Sequence, residues 1–131
     1  MPLIETHLTP RPSDRQGLDS GRVSCAALQE TVIKSVHLRG NAYAYLASLA
    51  LDAEAGASDY IEFRCYLGGT LITRWWAKRR SSLGAIGNPQ AIGEQLANGS
   101  DFEIRAYNSH PTSAFYSFSD GEVTTYDQPL R

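Results

Sequence analysis

From Gly21 onward, apolar and polar positions alternate with a period of two. Val23, Cys25 and Ala27 alternate with polar or small residues, as do Val32, Val36 and Leu38, with Lys34 as a break. Successive side chains of a strand point to opposite faces, so this period predicts half-buried strands. Tyr43, Tyr45, Ala47, Leu49 and Leu51 form a longer run, and its other face, Ala44, Leu46, Ser48 and Ala50, is apolar too. That predicts a strand covered on both sides. Alanine and leucine would also allow a helix over 42–55, but the tyrosines and the alternation favour the strand. Between Tyr60 and Trp76, Ile61, Phe63, Cys65 and Leu67 face one way, and Tyr60, Glu62, Arg64 and Tyr66 the other. After Gly68-Gly69, Leu71, Thr73 and Trp75 alternate with Thr70, Ile72, Arg74 and Trp76. Two glycines suit a tight turn whose central residues take positive φ, so a hairpin is predicted. Its second strand puts one tryptophan inside and one outside, without saying which.

Residues 81–100 break the alternation, with Gly84, Gly87, Gly93 and Gly99. Asn88-Pro89 reads as an N-cap and first helical position, and Asn98-Gly99 as the end of a short helix. Alternation returns at Phe102, Ile104 and Ala106. Beyond a turn at Ser109-His110-Pro111-Thr112, a last hairpin is expected, with strands 114–118 and 122–126 joined at Asp120-Gly121. Seven short strands separated by turns indicate a mainly β fold. The expectation is an antiparallel β-sandwich or jelly-roll-like barrel over 22–131 with one short helix. Residues 1–21 read as an extended N-terminal arm. Pro2, Pro10 and Pro12 disfavour helix there, and Leu3, Ile4 and Leu8 are its apolar anchors for another surface.

Composition narrows the functional classes. The chain of 131 residues fits one domain, and its 42% hydrophobic and 20% charged residues are ordinary for a globular protein. A net charge of −2 argues against coating nucleic acid with the whole surface. The N-terminus lacks the basic start and apolar run of a secretory signal, and no stretch approaches the ~18 apolar residues of a membrane span. Cytoplasmic synthesis is expected. Cys25 and Cys65 stand apart, without metal-ligand spacing, and read as buried reduced thiols. His7, His37 and His110 belong to no catalytic or metal motif, and no phosphate-binding or dinucleotide loop occurs. No cofactor, metal or catalytic residue is therefore assigned. A hydrolase whose side chains converge only in space is the remaining enzymatic alternative.

Charge is unevenly distributed. No acidic residue lies between Glu62 and Glu94, an interval holding Arg64, Arg74, Lys78, Arg79 and Arg80. Within it, Arg74, Trp75, Trp76, Lys78, Arg79 and Arg80 interleave aromatics with cations, as protein interfaces and single-strand nucleic-acid binders do. A solvated strand end with cations covering an exposed ring is the plainer account. From residue 101 onward, Asp101, Glu103, Asp120, Glu122 and Asp127 face only Arg105 and Arg131. Regions of opposite sign suit head-to-tail contact between copies.

The proline-bearing arm (Pro2, Pro10, Pro12), the compact β-domain, the Gly68-Gly69 hairpin and the missing active-site motif resemble small virion accessory proteins of tailed phages, such as capsid decoration or tail-associated β-domains. That resemblance implies self-association or docking on a shell, without a cofactor. The function expected is structural: a β-domain, in a virion or another large assembly, held by Leu3, Ile4 and Leu8 and the 74–80 cluster. Its partner would be a protein or copies of itself. A module binding glycans or nucleic acid through exposed Trp or Tyr is the alternative.

Overall fold

The computed structural model describes residues 12–80, 82–97 and 99–129. The chain is mainly β: two antiparallel sheets pack together around one core. Among the described residues there are ten strands and no helix: β1 Pro12–Gly17, β2 Val23–Cys25, β3 Gln29–His37, β4 Tyr43–Ala53, β5 Ile61–Leu67, β6 Thr70–Leu71, β7 Lys78–Arg79, β8 Gln90–Leu96, β9 Asp101–Asn108 and β10 Phe115–Tyr126. One sheet runs β1-β10-β4-β8, with β2 also on β10. The other runs β3-β9-β5-β6, with β7 also on β5.

The alternation of the sequence becomes the core directly on β5 and β9, while on β4 the bulge at Ala47 changes the parity and turns Leu46 to the same side as Leu49 and Leu51. Ile61, Phe63 and Cys65 of β5 and Phe102, Ile104 and Ala106 of β9 turn inward, opposite Leu46, Leu49 and Leu51 of β4 and Val123 of β10. Both faces of β4 are largely covered, since Tyr45 and Ala50 on its other side are also buried. Asn108, fully buried at the end of β9, donates to the carbonyls of Cys25 and Ser113 and accepts from the His110 amide. A buried amide is tolerable when its donors and acceptor are met this way. Cys25 and Cys65 are free and buried.

Four expectations need correction. The helix over 88–98 is instead the edge strand β8. Asn88 is used in a tight turn around Ile86-Gly87, where Ala85 and Asn88 exchange backbone hydrogen bonds at 3.2 and 2.8 Å. Ile92, Glu94 and Leu96 then turn inward with period two. Pairing with β4 overrides the weak helical signal.

The last hairpin is also absent, because 115–126 is one long strand. Gly121 lies inside it with φ of 131°, and a Cβ there would come 2.3 Å from the Ser48 carbonyl oxygen. Its glycine serves a close approach to β4, where Ala47 is the unpaired residue of a bulge, and not a turn.

Thirdly, the Gly68-Gly69 hairpin forms with both glycines at positive φ, 60° and 83°, but its second strand stops at Leu71. Finally, residues 12–18 belong to the sheet. β1 pairs along β10 from Pro12↔Tyr126 to Gly17↔Glu122, and Leu18 is fully buried. Core positions therefore begin before Val23, and Pro12 sits where proline is tolerated, at the first residue of an edge strand. The anchors Leu3, Ile4 and Leu8 lie outside the described residues.

Candidate functional site: an open flank between two sheet edges

The tryptophan pair is set by one backbone hinge on β5. Ile72 N–H donates to the Cys65 carbonyl at 2.9 Å, and Cys65 N–H donates to the Ala77 carbonyl at 2.8 Å. One residue of β5 thus holds both feet of an excursion over 72–77. On either side of it the ladder is regular, with Tyr66↔Leu71 before and Arg64↔Lys78 after. The excursion closes on itself through Ala77 N–H to the Arg74 carbonyl at 3.0 Å. Trp76 enters the core and is fully buried, its ring centroid 6.5 Å from that of Phe102. Its indole Nε1 meets no acceptor among the described residues. Trp75 points the other way and is 58% exposed. Strand alternation anticipates one ring in and one out; a pinched loop, not a strand, produces it.

Beside the excursion runs a groove of about 350 Å³. Leu67, Leu71, Ile72, Thr73 and Arg74 line one wall, and Gln95, Leu96 and Ala97 the other. The first wall is the β5–β6 edge of one sheet, and the second is the end of β8, an edge of the other sheet. The Arg74 guanidinium donates across to Glu94 on β8 at 2.6 Å. Among the described residues nothing pairs with the outer edge of β8. Ile86, in the turn leading into β8, is also exposed.

The cations of the 74–80 cluster divide. Arg74 is committed to Glu94, and the Lys78 ammonium lies 3.7 Å from Glu62. Arg79 reaches the Trp75 carbonyl at 3.5 Å, but its Nε is buried without an acceptor among the described residues. The expectation that Lys78, Arg79 and Arg80 all lie on the surface therefore fails for Arg79, which is half-buried because β7 pairs back onto β5. Arg80 is exposed and borders a small hollow with Asp52 and Phe63. Sheet pairing brings carboxylates to the acid-free interval, so it is not one basic patch. The acidic stretch disperses likewise: Asp101 faces His37, Glu103 faces Arg105, Glu122 faces Arg15, Asp127 faces Arg39, and Asp120 accepts from the Gly87 and Gly121 amides.

A second charged region lies on the outer face of the β3-β9-β5 sheet. Arg64 and Arg105 stand directly opposite each other on β5 and β9, an arrangement that repels unless carboxylates intervene. Glu30 on β3 intervenes, accepting from Arg64 and from Arg105 at 2.9 Å each, and from the Tyr66 hydroxyl at 2.9 Å. Glu62 takes the rest of Arg64, and Glu103 takes the rest of Arg105. The guanidinium of Arg105 lies 4.0 Å over the Tyr66 ring, and that of Arg64 lies 4.8 Å over the Tyr107 ring. Burial pushes the Glu30 carboxyl up, but hydrogen bonds from Arg105, Arg64 and Tyr66 outweigh it and hold the group below its ordinary value. Burial, then the neighbouring Glu30 carboxylate, push the Tyr66 hydroxyl up. In the core beneath, burial pushes the Cys65 thiol up to about 12, which leaves it an inert apolar residue. Glu30, Glu103 and Tyr107 carry no sequence motif. Their one signal is that they fall opposite buried positions, as Glu62, Arg64 and Tyr66 do.

Comparison with known proteins finds no family model that matches the chain, no matching characterised protein and no matching solved structure. Among the described residues, no three His, Cys, Asp or Glu side chains gather as a metal site requires. Among them, too, no helix is long and apolar enough to cross a membrane.

Proposed function

We propose that this chain is a structural, assembly-bound β-domain that docks on a larger complex through its N-terminal segment and the flank formed by Trp75, the groove and β8. One observation carries the reading: the excursion that exposes Trp75 also borders, through Arg74, a groove along a sheet edge that no described strand covers. Tryptophan and arginine are the usual anchors of protein interfaces, and an open edge strand is a ready template for pairing. We take the two packed sheets as a sandwich, since β1 and β8 leave the first sheet open at both sides. The resemblance to virion accessory proteins names the kind of assembly, a capsid or tail, and the proposal includes no catalytic role. Light scattering tests the reading on the full-length chain. Wild type should form a large species, alone or with its partner, and Trp75→Ser should dissociate it without lowering the melting temperature. Unchanged assembly by Trp75→Ser would refute the flank as the docking surface.

The exposed indole also supports the alternative of a glycan-binding module, in which Trp75 would stack on a sugar ring. A monomer stabilised against heat by an oligosaccharide, and not stabilised once Trp75 is Ser, would favour it. Nucleic acid fits less well, because Arg74 and Lys78 already face carboxylates.

A further inference from the structure

Resting on the assembly reading, we infer that the occupant of the flank is the N-terminal segment of a second copy, laid as an antiparallel strand along the outer edge of β8. The edge strands differ in how they are guarded. β1 carries Pro12, Asp14 and Arg15. β3 carries Glu30 and Lys34 and is bulged between Val32 and Lys34. β6 and β7 are two residues each. Proline, charge, bulges and shortness are the devices that stop edges from pairing. β8 is bulged too, with Ile92 and Gly93 against Ala47, but its seven residues include no proline and a single charged one, Glu94, which Arg74 already neutralises. Its exposed positions, Gln90, Ala91, Gly93 and Gln95, are uncharged and small or flexible. Among the longer edge strands this is the least charged, and a groove of mixed polar and apolar lining lies at its Leu96 end.

Strand addition of this kind takes affinity from main-chain hydrogen bonds and specificity from alternate side chains entering pockets. The first eleven residues fit both needs. Leu3–Thr9 is a proline-free run between Pro2 and Pro10, as long as β8 itself. Ile4, Thr6 and Leu8 would share one face of an extended strand, and two of them are the apolar groups a groove would take.

Geometry decides between this chain's own segment and a neighbour's. Pro12 pairs with Tyr126, Tyr126 with Tyr43, and the adjacent Ala44 with Leu96, so Pro12 and the groove lie at the same end of the sheet. From Pro12 the chain's own segment would cross four strand spacings, about 19 Å, to reach the outer edge of β8. Laid there, it would run parallel to β8 in a sheet that is otherwise antiparallel. Parallel pairing is the less stable arrangement. A second copy's segment is not tethered to that end of the sheet and is free to take the antiparallel sense.

Cysteine cross-linking of the full-length chain tests this. Ile4→Cys is mixed with a size-tagged Ala97→Cys under mild oxidation, with Gln95→Cys as a second target two residues along the same wall. The native Cys25 and Cys65 are buried and give little background. A mixed two-chain product should form, and adding Leu8→Asp to the Ile4→Cys chain should reduce its yield about tenfold or more. An Ile4→Cys/Ala97→Cys double variant that closes within one chain, with no two-chain product, would overturn the second-copy assignment. No cross-link with either target would overturn the placement on β8. If wild type nevertheless assembles by light scattering, only this placement falls; if it stays monomeric with every partner tested, the assembly reading falls too.

Discussion

The outer face of the β3-β9-β5 sheet and the flank at β8 are built from similar residues and reach opposite states. Each holds arginines, tyrosine or tryptophan, and glutamate on an exposed strand. On the sheet face, Glu30 holds Arg64, Arg105 and Tyr66 at once, and the remaining guanidinium groups meet Glu62 and Glu103. On the flank, among the described residues, the Trp75 backbone carbonyl accepts from Arg79 while its ring is exposed, and the outer edge of β8 has no partner. A charged and aromatic surface can therefore be a finished lid or an unfinished interface. What separates them is whether the groups that favour contact already have it, not how many there are.

Replacing the tryptophans separates the two roles within the flank. Trp76→Ala should destabilise by about 3–5 kcal/mol, because it empties a fully buried site between the sheets. Chemical denaturation measures it, and a loss below about 1 kcal/mol would mean that the excursion is not anchored through the core. On the sheet face, Glu30→Gln should cost about 1–2 kcal/mol, discounted for its partial exposure, since it leaves Arg64 and Arg105 opposed with weaker compensation. The same carboxylate gives a pH signature. Its folded-state pKa lies below the ordinary value of 4.5, so folding favours the ionised form. That stabilisation is complete above 4.5 and is lost as pH falls through the lower folded value. Denaturation midpoints taken between about pH 6 and pH 3 should fall less steeply for Glu30→Gln than for wild type.

Smaller effects sharpen the boundary. Gly68→Val forces a β-branched residue to φ of 60° and should cost about 1 kcal/mol or more by thermal melting. Trp75→Ala should change stability by less than about 0.5 kcal/mol while abolishing assembly. A large loss of stability in that variant would turn Trp75 into a structural residue and erase the contrast between the two regions.

The sequence shows the inward faces of β5 and β9 plainly, because period-two alternation over seven or more residues has few other readings, but it hides that of β4, where the bulge at Ala47 brings Leu46 to the same face as Leu49 and Leu51. It hides what depends on which strand lies beside which. Gly121 resembles a turn residue until Ser48 is known to press against it. Asn88-Pro89 resembles a helix start until β4 claims the next segment as a strand. Arg64 and Arg74 resemble parts of one basic patch until β3 and β8 deliver Glu30 and Glu94. The tryptophan pair is legible in part: alternation implies one ring in and one out without saying which, and the pinch at Cys65 is a backbone event with no residue signature. Glu30, the centre of the sheet-face network, is invisible for the same reason, since its partners lie 34, 36 and 75 residues away.

Backbone amide hydrogen exchange of the full-length chain, followed over a concentration series, tests most directly whether the open flank is the docking surface. The account predicts that outer-edge amides of Gln90–Leu96 gain protection as the assembly forms, while β3 and the Arg64–Glu30–Arg105 face do not change. Protection appearing on that sheet face, with β8 exchanging as fast in the assembly as in the monomer, would contradict it.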